Sequence, residues 1–126
     1  MHKRKKNFIN SKYDEHIIEE LKKLPKSLKT FDDHIVNFDA NKRKETIYEH
    51  IANKRHRLHT IDIKQIPTIL LNKESLKNDR NGKKNRSYVG KRSKQKEKKK
   101  YLKIVTTVNK NKTESVVTIC TVKRNN

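Results

Sequence analysis

The sequence predicts an α+β domain in which N-terminal helices pack on a three- to four-stranded antiparallel sheet. Two observations lead to this class. Apolar residues recur at helical spacing in the first half of the chain, whereas β-branched residues dominate short runs from about residue 76 onward. Because helices precede strands instead of alternating with them, the helices are expected on one sheet face. The other face is then left to solvent or to a ligand.

Three helices are predicted. The first begins near Ser11, whose side chain can cap it, and ends before Pro25. The second runs from about Asn41 to Leu58 on an apolar stripe that includes Ile47 and Ile51. Its last turns are basic, which the helix dipole favours.

A third helix is expected after Thr60, and Pro67 inside it predicts a kink or a restart, since proline has no backbone N–H. Residues 26–39 carry apolar side chains without a clear period and are interpreted as a connector. The predicted organisation is a basic disordered arm (1–10), an N-terminal helix with its connector (11–40) and an α+β domain (41–123).

Four segments of the second half are predicted to be strands: Leu76–Arg80, Ser87–Arg92, Tyr101–Val108 and Thr113–Lys123. Asn81-Gly82 is a hairpin-turn signal, and the lysine-rich run 93–100 is expected to be a solvated loop. The last strand is almost equally apolar on its two faces. The pattern therefore leaves open whether Thr118 or Thr121 points to the uncovered face.

The charge of the chain predicts a polyanionic partner. The 126 residues include 34 Lys and Arg against 14 Asp and Glu, a net charge of +20, and only 30% are hydrophobic. From residue 83 to the end there are fifteen Lys and Arg and two acids, Glu97 and Glu114. A folded sheet with so positive a field selects a polyphosphate, above all nucleic acid.

Other classes are disfavoured by the same composition. No apolar run approaches the roughly 20 residues that span a bilayer, and no apolar signal-peptide core follows the basic N-terminus. A cytoplasmic location and no membrane partner are expected. Cys120 is the single cysteine, which excludes an internal disulfide and a cysteine-based metal site. Its apolar neighbours predict a buried small hydrophobe.

Histidines are concentrated at the end of the second predicted helix. Three of the six histidines and three cations fall within ten residues: His50, Lys54, Arg55, His56, Arg57 and His59. Imidazoles can act as general base and acid near neutral pH, and cations stabilise charge that develops on a phosphate. A metal-independent ribonuclease needs this combination, although an ordinary basic helix end with surface histidines has the same composition. The spacing matches no zinc motif, so neither a metal nor a cofactor is expected.

Further residues are candidates for binding nucleic acid. Lys54, Arg57, Arg86, Lys91 and Arg92 would contact the phosphate backbone. Tyr88 lies among these cations and could stack on a base, or it could be a half-buried tyrosine of the sheet. Lys103 is expected on the uncovered face of its strand.

The order of the segments adds a resemblance. The segments are YEHIANKRH, HTIDIKQIPTILLN, SLKND, SYVGKR, KYLKIVTTV and ESVVTICTV, over roughly residues 45–123. This series resembles the small phage- and mobile-element-encoded nucleases of the barnase–EndoU–colicin–RelE-like group. The resemblance implies that residues 41–123 form a nuclease-like α+β domain. The residues it implies for catalysis are His50 or alternatively His56, Arg55 or Lys103 as the basic group, and Thr118 as the strand hydroxyl.

The function expected from charge, histidines and resemblance together is metal-independent cleavage of RNA. Members of the group are often toxins that cut RNA or transfer RNA, so tRNA or rRNA is the expected substrate class. A toxin of this charge implies an acidic immunity or antitoxin protein as partner. Two alternatives stay open at this point: a non-catalytic basic protein that binds RNA or DNA, and a small component of a ribonucleoprotein.

Overall fold

The computed structural model describes residues 11–39, 41–42, 44–79, 85–92 and 100–123. The described residues form helices α1 (Glu15–Lys23), α2 (Ile47–Ile51) and α3 (Thr60–Leu71), with 3-10 turns at Lys54–His56 and Lys73–Ser75. Their strands are β1 (Ser27–Lys29), β2 (Ile35–Asn37), β3 (Asn41–Lys42), β4 (Glu45–Thr46), β5 (Leu76–Asp79), β6 (Asn85–Lys91), β7 (Lys100–Val108) and β8 (Thr113–Lys123). The predicted arm 1–10, the turn at 81–82 and the loop at 93–99 lie outside the described residues.

Six strands form one mixed sheet in the order β1–β2–β8–β7–β6–β5. The four strands predicted in the second half are confirmed and form an antiparallel meander from β5 to β8. The predicted strand number and wholly antiparallel pairing are wrong, because β2 pairs in parallel with the start of β8 and β1 pairs with β2. These two strands come from the segment interpreted as a connector. Each has three residues with only the middle one buried, too short a pattern for periodicity to detect.

Helix α1 begins three residues later than predicted. Asp14, not Ser11, is the N-cap, and its carboxylate accepts a hydrogen bond from the backbone N–H of His16. Ile17 and Leu21, one turn apart, are the buried residues of this helix.

The long second helix predicted for residues 41–58 is wrong. Residues 45–46 form β4, and only Ile47–Ile51 is α-helical. Thr46 and Glu49 form a capping box that starts α2 at this point. The helix ends at Ala52, after which Asn53 forms an isolated β-bridge with Tyr13. A β-bridge requires extended backbone, so the helix cannot continue through Asn53. Beyond it the chain forms only a short 3-10 turn.

Helix α3 continues through Pro67 as a single helix, so the restart that was one of the two predicted outcomes does not occur. Its buried positions include Ile63, Ile66 and Leu70, which join one hydrophobic cluster with residues of α1, α2 and the sheet. The periodic apolar residues of the helix are therefore sufficient to keep it intact across the proline. Packing on the sheet compensates for the missing N–H.

Helix α3 packs on one face of the sheet, which we call the inner face. Gly90 on β6 lies so close to α3 that a Cβ there would be 2.6 Å from Ile69 Cγ1. Gly90 is opposite the fully buried Leu102, which marks the inner side of β7. Side chains that alternate with Leu102 point the other way. The outer face carries Lys103, Val105, Thr118 and Cys120, which are paired across β7 and β8.

A buried polar network lies on the inner face, at the end of the sheet next to the connection between β1 and β2. Glu114 on β8 is fully buried and accepts hydrogen bonds from four donors: His34 Nδ1 at 2.8 Å, Arg86 Nη1 at 2.9 Å, Tyr88 OH at 2.9 Å and Thr106 Oγ1 at 2.6 Å. Arg86 also binds Asp32 through both terminal nitrogens, at 3.2 and 2.7 Å. Burial alone would raise the pKa of Asp32, but hydrogen bonds from Arg86 and Thr30 outweigh it and lower the pKa to about 2.

Candidate active site

His50 is held between a carboxylate and a hydroxyl. It lies in the last turn of α2 with a side chain that is 13% exposed. Its Nδ1 is 3.1 Å from Glu45 Oε1, and its Nε2 is 3.2 Å from Thr118 Oγ1. An ionised carboxylate can only accept, so Nδ1 carries the hydrogen in the neutral ring. Nε2 is then an acceptor, and the Thr118 hydroxyl donates to it.

Local sequence places the first two members of this chain. Glu45 belongs to the two-residue strand β4, and the Thr46 capping box turns the backbone into α2 directly after it. His50 follows one turn later, so its ring lies back over the residue that precedes the cap. The carboxylate and the imidazole therefore meet through a strand-to-helix turn of six residues.

Thr118 reaches the same place because β8 is irregular. Val105 is opposite Thr118, whereas the next residue of β7, Thr106, is opposite Val116. Val117 is thus an extra residue, a β-bulge, and bulges re-aim the side chains beside them. Thr118 lies on the outer face with Val105, whereas Thr121 is opposite the buried Leu102. The choice between the two threonines, which the sequence pattern left open, falls on Thr118 by its contact with His50.

His56 lies beside His50. The two ring centroids are 5.5 Å apart, and the rings meet edge to face at 73°. His56 Nδ1 is 3.1 Å from the Ile51 carbonyl oxygen, which can only accept, so this nitrogen carries the hydrogen. Burial lowers the pKa of His56, and the charges of His50 and Arg55 lower it further against the opposing hydrogen bond to Ile51. The ring is therefore neutral near pH 7, and its Nε2 has no hydrogen-bond partner among the described residues.

Tyr13 is the functional candidate that the sequence did not reveal. Its hydroxyl donates to Glu45 Oε2 at 2.7 Å, the oxygen that His50 does not use. This hydrogen bond lowers the pKa of Glu45; burial opposes it, and the hydrogen bond to His50 supports it. The same bond raises the pKa of Tyr13 to about 12. Thirty-two residues separate the two side chains, and no sequence pattern links them.

The predicted cations divide into a group that is exposed or on the outer face and a group, Arg86 and Arg92, that is paired with carboxylates in the interior. Lys54, Arg55, Arg57 and Lys91 are exposed, and Lys103 is on the outer face opposite Cys120. Burial raises the pKa of the Cys120 thiol, and the charge of Lys103 opposes that shift. Lys54 and Arg55 belong to the 3-10 turn that also carries His56, so they are the cations next to this imidazole along the chain.

Three residues predicted to bind nucleic acid are corrected. Tyr88 is fully buried, and its hydroxyl donates to Glu114, so it presents no ring face to a base. Arg86 is buried in the same network, and Arg92 binds the fully buried carboxylate of Asp62 at 2.9 and 2.8 Å. Both guanidinium groups are engaged by carboxylates in the interior. Charge in a sequence does not distinguish such internal pairs from surface cations.

In the described part of the chain, no three side chains of His, Cys, Asp or Glu come together closely enough to hold a metal ion. The described helices are also all too short, or too polar, to cross a bilayer. No protein-family model matches the chain, and comparisons with curated proteins and with solved structures found no match. The chemistry of the side chains is accordingly the basis for a function.

Proposed function

We propose that this protein is a metal-independent endoribonuclease that cleaves RNA by attack of a ribose 2′-hydroxyl on the adjacent phosphate. The observation that carries the proposal is the hydrogen-bonded chain Glu45–His50–Thr118 with the His56 ring beside it. Two imidazoles, each fixed through Nδ1, direct their Nε2 atoms away from their anchors. This arrangement supplies both a proton acceptor and a proton donor.

The two histidines have different environments, which suggests their roles. His56 is neutral near pH 7, and its Nε2 has no partner in the described residues, so it takes the proton from the 2′-hydroxyl. The resulting oxygen attacks phosphorus and forms a 2′,3′-cyclic phosphate. His50, whose Nδ1 is bonded to Glu45, acts as the general acid and gives a proton from its Nε2 to the departing 5′-oxygen. The bond from the 2′-oxygen to phosphorus forms as the bond to the 5′-oxygen breaks, and each of the two proton transfers has a named histidine. The proposed step therefore balances without a metal.

The cations and the strand hydroxyl complete the proposed site. In this proposal Arg55, next to His56 in the 3-10 turn, and Lys103, on the outer face, offset the charge that develops on the non-bridging oxygens. Thr118 positions the phosphate by exchanging its hydrogen bond to His50 for one to a phosphate oxygen. Lys54, Arg57 and Lys91 are exposed and bind the backbone of flanking nucleotides.

The biological setting we propose follows from charge and from the resemblance to the nuclease group. A net charge of +20 suits a structured, folded RNA such as tRNA or rRNA, met in the cytoplasm. A nuclease that acts there as a toxin requires an inhibitor. An acidic immunity or antitoxin protein complements the cations around the histidine pair.

The experiment is cleavage of purified RNA in the presence of EDTA. We expect discrete fragments that end in a 2′,3′-cyclic phosphate, and no cleavage of an oligonucleotide whose scissile ribose lacks the 2′-hydroxyl. His50→Ala and His56→Ala should each lose about 10²–10⁴-fold in rate while retaining most of their affinity for RNA. His16→Ala is the matched control, since this histidine is exposed on α1 and should leave the rate unchanged.

Intact RNA that is shifted on a gel, with binding that weakens steeply as salt is raised, would refute the enzymatic proposal. It would leave the protein as a non-catalytic RNA-binding module. Equal cleavage by wild type and by both histidine variants would instead show that the activity comes from elsewhere in the preparation.

A further inference from the structure

The residues before α1 lie across the loop that carries His56. We call residues 11–14 the N-terminal strap. Its backbone contacts that loop twice, because the Asp14 N–H donates to the Ala52 carbonyl and the Lys54 N–H donates to the Lys12 carbonyl, both at 2.8 Å. Between these two bonds, Tyr13 forms a β-bridge with Asn53. The strap is therefore part of the site wall and is continuous with α1 through its cap residue, Asp14.

The side chain of Tyr13 extends from the strap to the catalytic carboxylate. Glu45 has two oxygens, of which Oε1 accepts from His50 and Oε2 accepts from Tyr13 at 2.7 Å. Glu45 lies on a two-residue strand and its side chain is 24% exposed, so packing alone does not fix its rotamer. The tyrosine supplies the second point that orients the carboxylate plane.

We propose that Tyr13 is a positioning residue, and that the N-terminal strap completes the active site by holding Glu45 in the orientation that fixes the His50 ring. The inference rests on the proposed ribonuclease function for its kinetic consequence, but its structural consequence can be measured without it. The tyrosine remains a donor throughout the neutral range, since its pKa is raised to about 12. Glu45 in turn remains an ionised acceptor, since its pKa is lowered.

Other charges around Glu45 act in the same region and define what the test must hold constant. Lys12 lies with its Nζ 5.3 Å from the centroid of the Tyr13 ring, and its charge also lowers the pKa of Glu45. The charge of Glu49 on α2 raises the pKa of Tyr13, as the charge of Glu45 does. Replacing Tyr13 by phenylalanine keeps the ring over which Lys12 lies and removes only the hydroxyl. The substitution therefore isolates the hydrogen bond.

The experiment compares Tyr13→Phe with Tyr48→Phe in the full chain. Tyr48 is on α2 and packs against Phe38, and its hydroxyl has no hydrogen bond among the described residues, so it is a matched control. Two NMR readouts do not depend on activity: the carboxyl ¹³C titration of Glu45 and the ring ¹⁵N shifts of His50, which report the tautomer. Tyr13→Phe should raise the Glu45 midpoint towards its ordinary value and mix the His50 tautomers. Tyr48→Phe should change neither.

The kinetic arm is expected to show a loss of about tenfold in cleavage rate for Tyr13→Phe, with RNA affinity retained. This corresponds to a hydrogen bond to a charged, partly exposed group. In a Glu45→Gln background the same tyrosine change should have less than about a twofold effect, since residues that act through one another are not additive.

The outcomes separate the two proposals. If wild type cleaves RNA but Tyr13→Phe leaves the Glu45 titration, the His50 tautomer and the rate unchanged, the inference about the strap is wrong and the ribonuclease proposal stands. If wild type does not cleave RNA, the ribonuclease proposal is wrong. The NMR readouts then still decide whether Tyr13 orients the carboxylate.

Discussion

Replacement of Glu114 by glutamine tests whether the buried network holds the first two strands to the rest of the sheet. Glutamine keeps the size of the side chain but removes its charge and converts one acceptor oxygen into a donor. Glu114 is fully buried and receives donors from β6, β7 and the β1–β2 connection, so one substitution affects three parts of the fold.

The expected loss of stability follows from the contacts. A hydrogen bond to a charged acceptor contributes roughly 1.5–3 kcal/mol and a neutral one roughly 0.5–1.5 kcal/mol. The bond from Arg86, which can only donate, and the bond from His34 should therefore each weaken by about 1 kcal/mol when the acceptor loses its charge. The new amide donor faces the hydroxyls of Tyr88 and Thr106, which can rotate to accept, at a further cost of about 1 kcal/mol. The predicted loss is about 3 kcal/mol, with Asp32 still neutralising Arg86.

Urea unfolding at pH 7 measures this loss, supported by the thermal midpoint, which should fall by about 10 °C for a chain of this length. Glu19→Gln is the control, because Glu19 is exposed on α1 and the same chemical change there should stay within about 0.5 kcal/mol. A loss below about 1 kcal/mol for Glu114→Gln would refute the argument that the carboxylate charge stabilises the network.

Two further predictions concern packing and pH. Gly90→Ala should destabilise the fold by about 1–2 kcal/mol in urea unfolding, since its Cβ would lie 2.6 Å from Ile69 Cγ1. Ser87→Ala, on the outer face of the same strand, is the control and should not destabilise the fold. Equal losses for the two variants would contradict the packing argument. The pKa of His56 is lowered from 6.5 by burial, so the folded state binds fewer protons than the unfolded state and stability should fall as the pH drops below about 6.5. His56→Asn, which can keep a donor to Ile51, should lose less stability between pH 7.5 and 5.5 than wild type does, and an identical loss would contradict this cause.

The second half of the fold was predictable because its signals are local. β-branched runs such as those in β7 and β8 favour strands wherever they occur, and their antiparallel order follows from short connections. The apolar stripe of α3 likewise identified a helix in spite of Pro67. In these segments propensity, pattern and packing agree, and the sequence alone is then sufficient.

The first half was less predictable because tertiary contacts determine it. The apolar stripe that includes Ile47 and Ile51 predicts a helix to Leu58, but the α-helix ends at Ile51. The chain there pairs instead with the N-terminal strap, through a β-bridge between Asn53 and Tyr13, which are forty positions apart in the sequence. β1 and β2 exist only because β8 and β2 pair, which no three-residue pattern reveals.

The candidate site combines both kinds of information. Residue type predicts His50 and His56 as candidates, and the resemblance to the nuclease group implies Thr118. The fold brings the two imidazole ring centroids to 5.5 Å and joins His50 to Thr118 by a hydrogen bond. Neither residue type nor spacing singles out Glu45 or Tyr13 in the sequence. Both act through contacts that depend on the strand-to-helix turn and the strap, which were not predicted.

The ambiguity of the last strand has a single physical cause. In a regular strand, Val116 and Ile119 cannot share a face, because they are three residues apart and side chains alternate with a period of two. Both are fully buried on the inner face, since the bulge at Val117 shifts the alternation by one residue between them. The same shift moves Thr118 from the inner face, where regular alternation after Val116 would place it, to the outer face beside His50. The hydroxyl at the candidate site thus depends on one extra residue in β8, and the nearly equal apolar content of the two faces is the sequence record of that bulge.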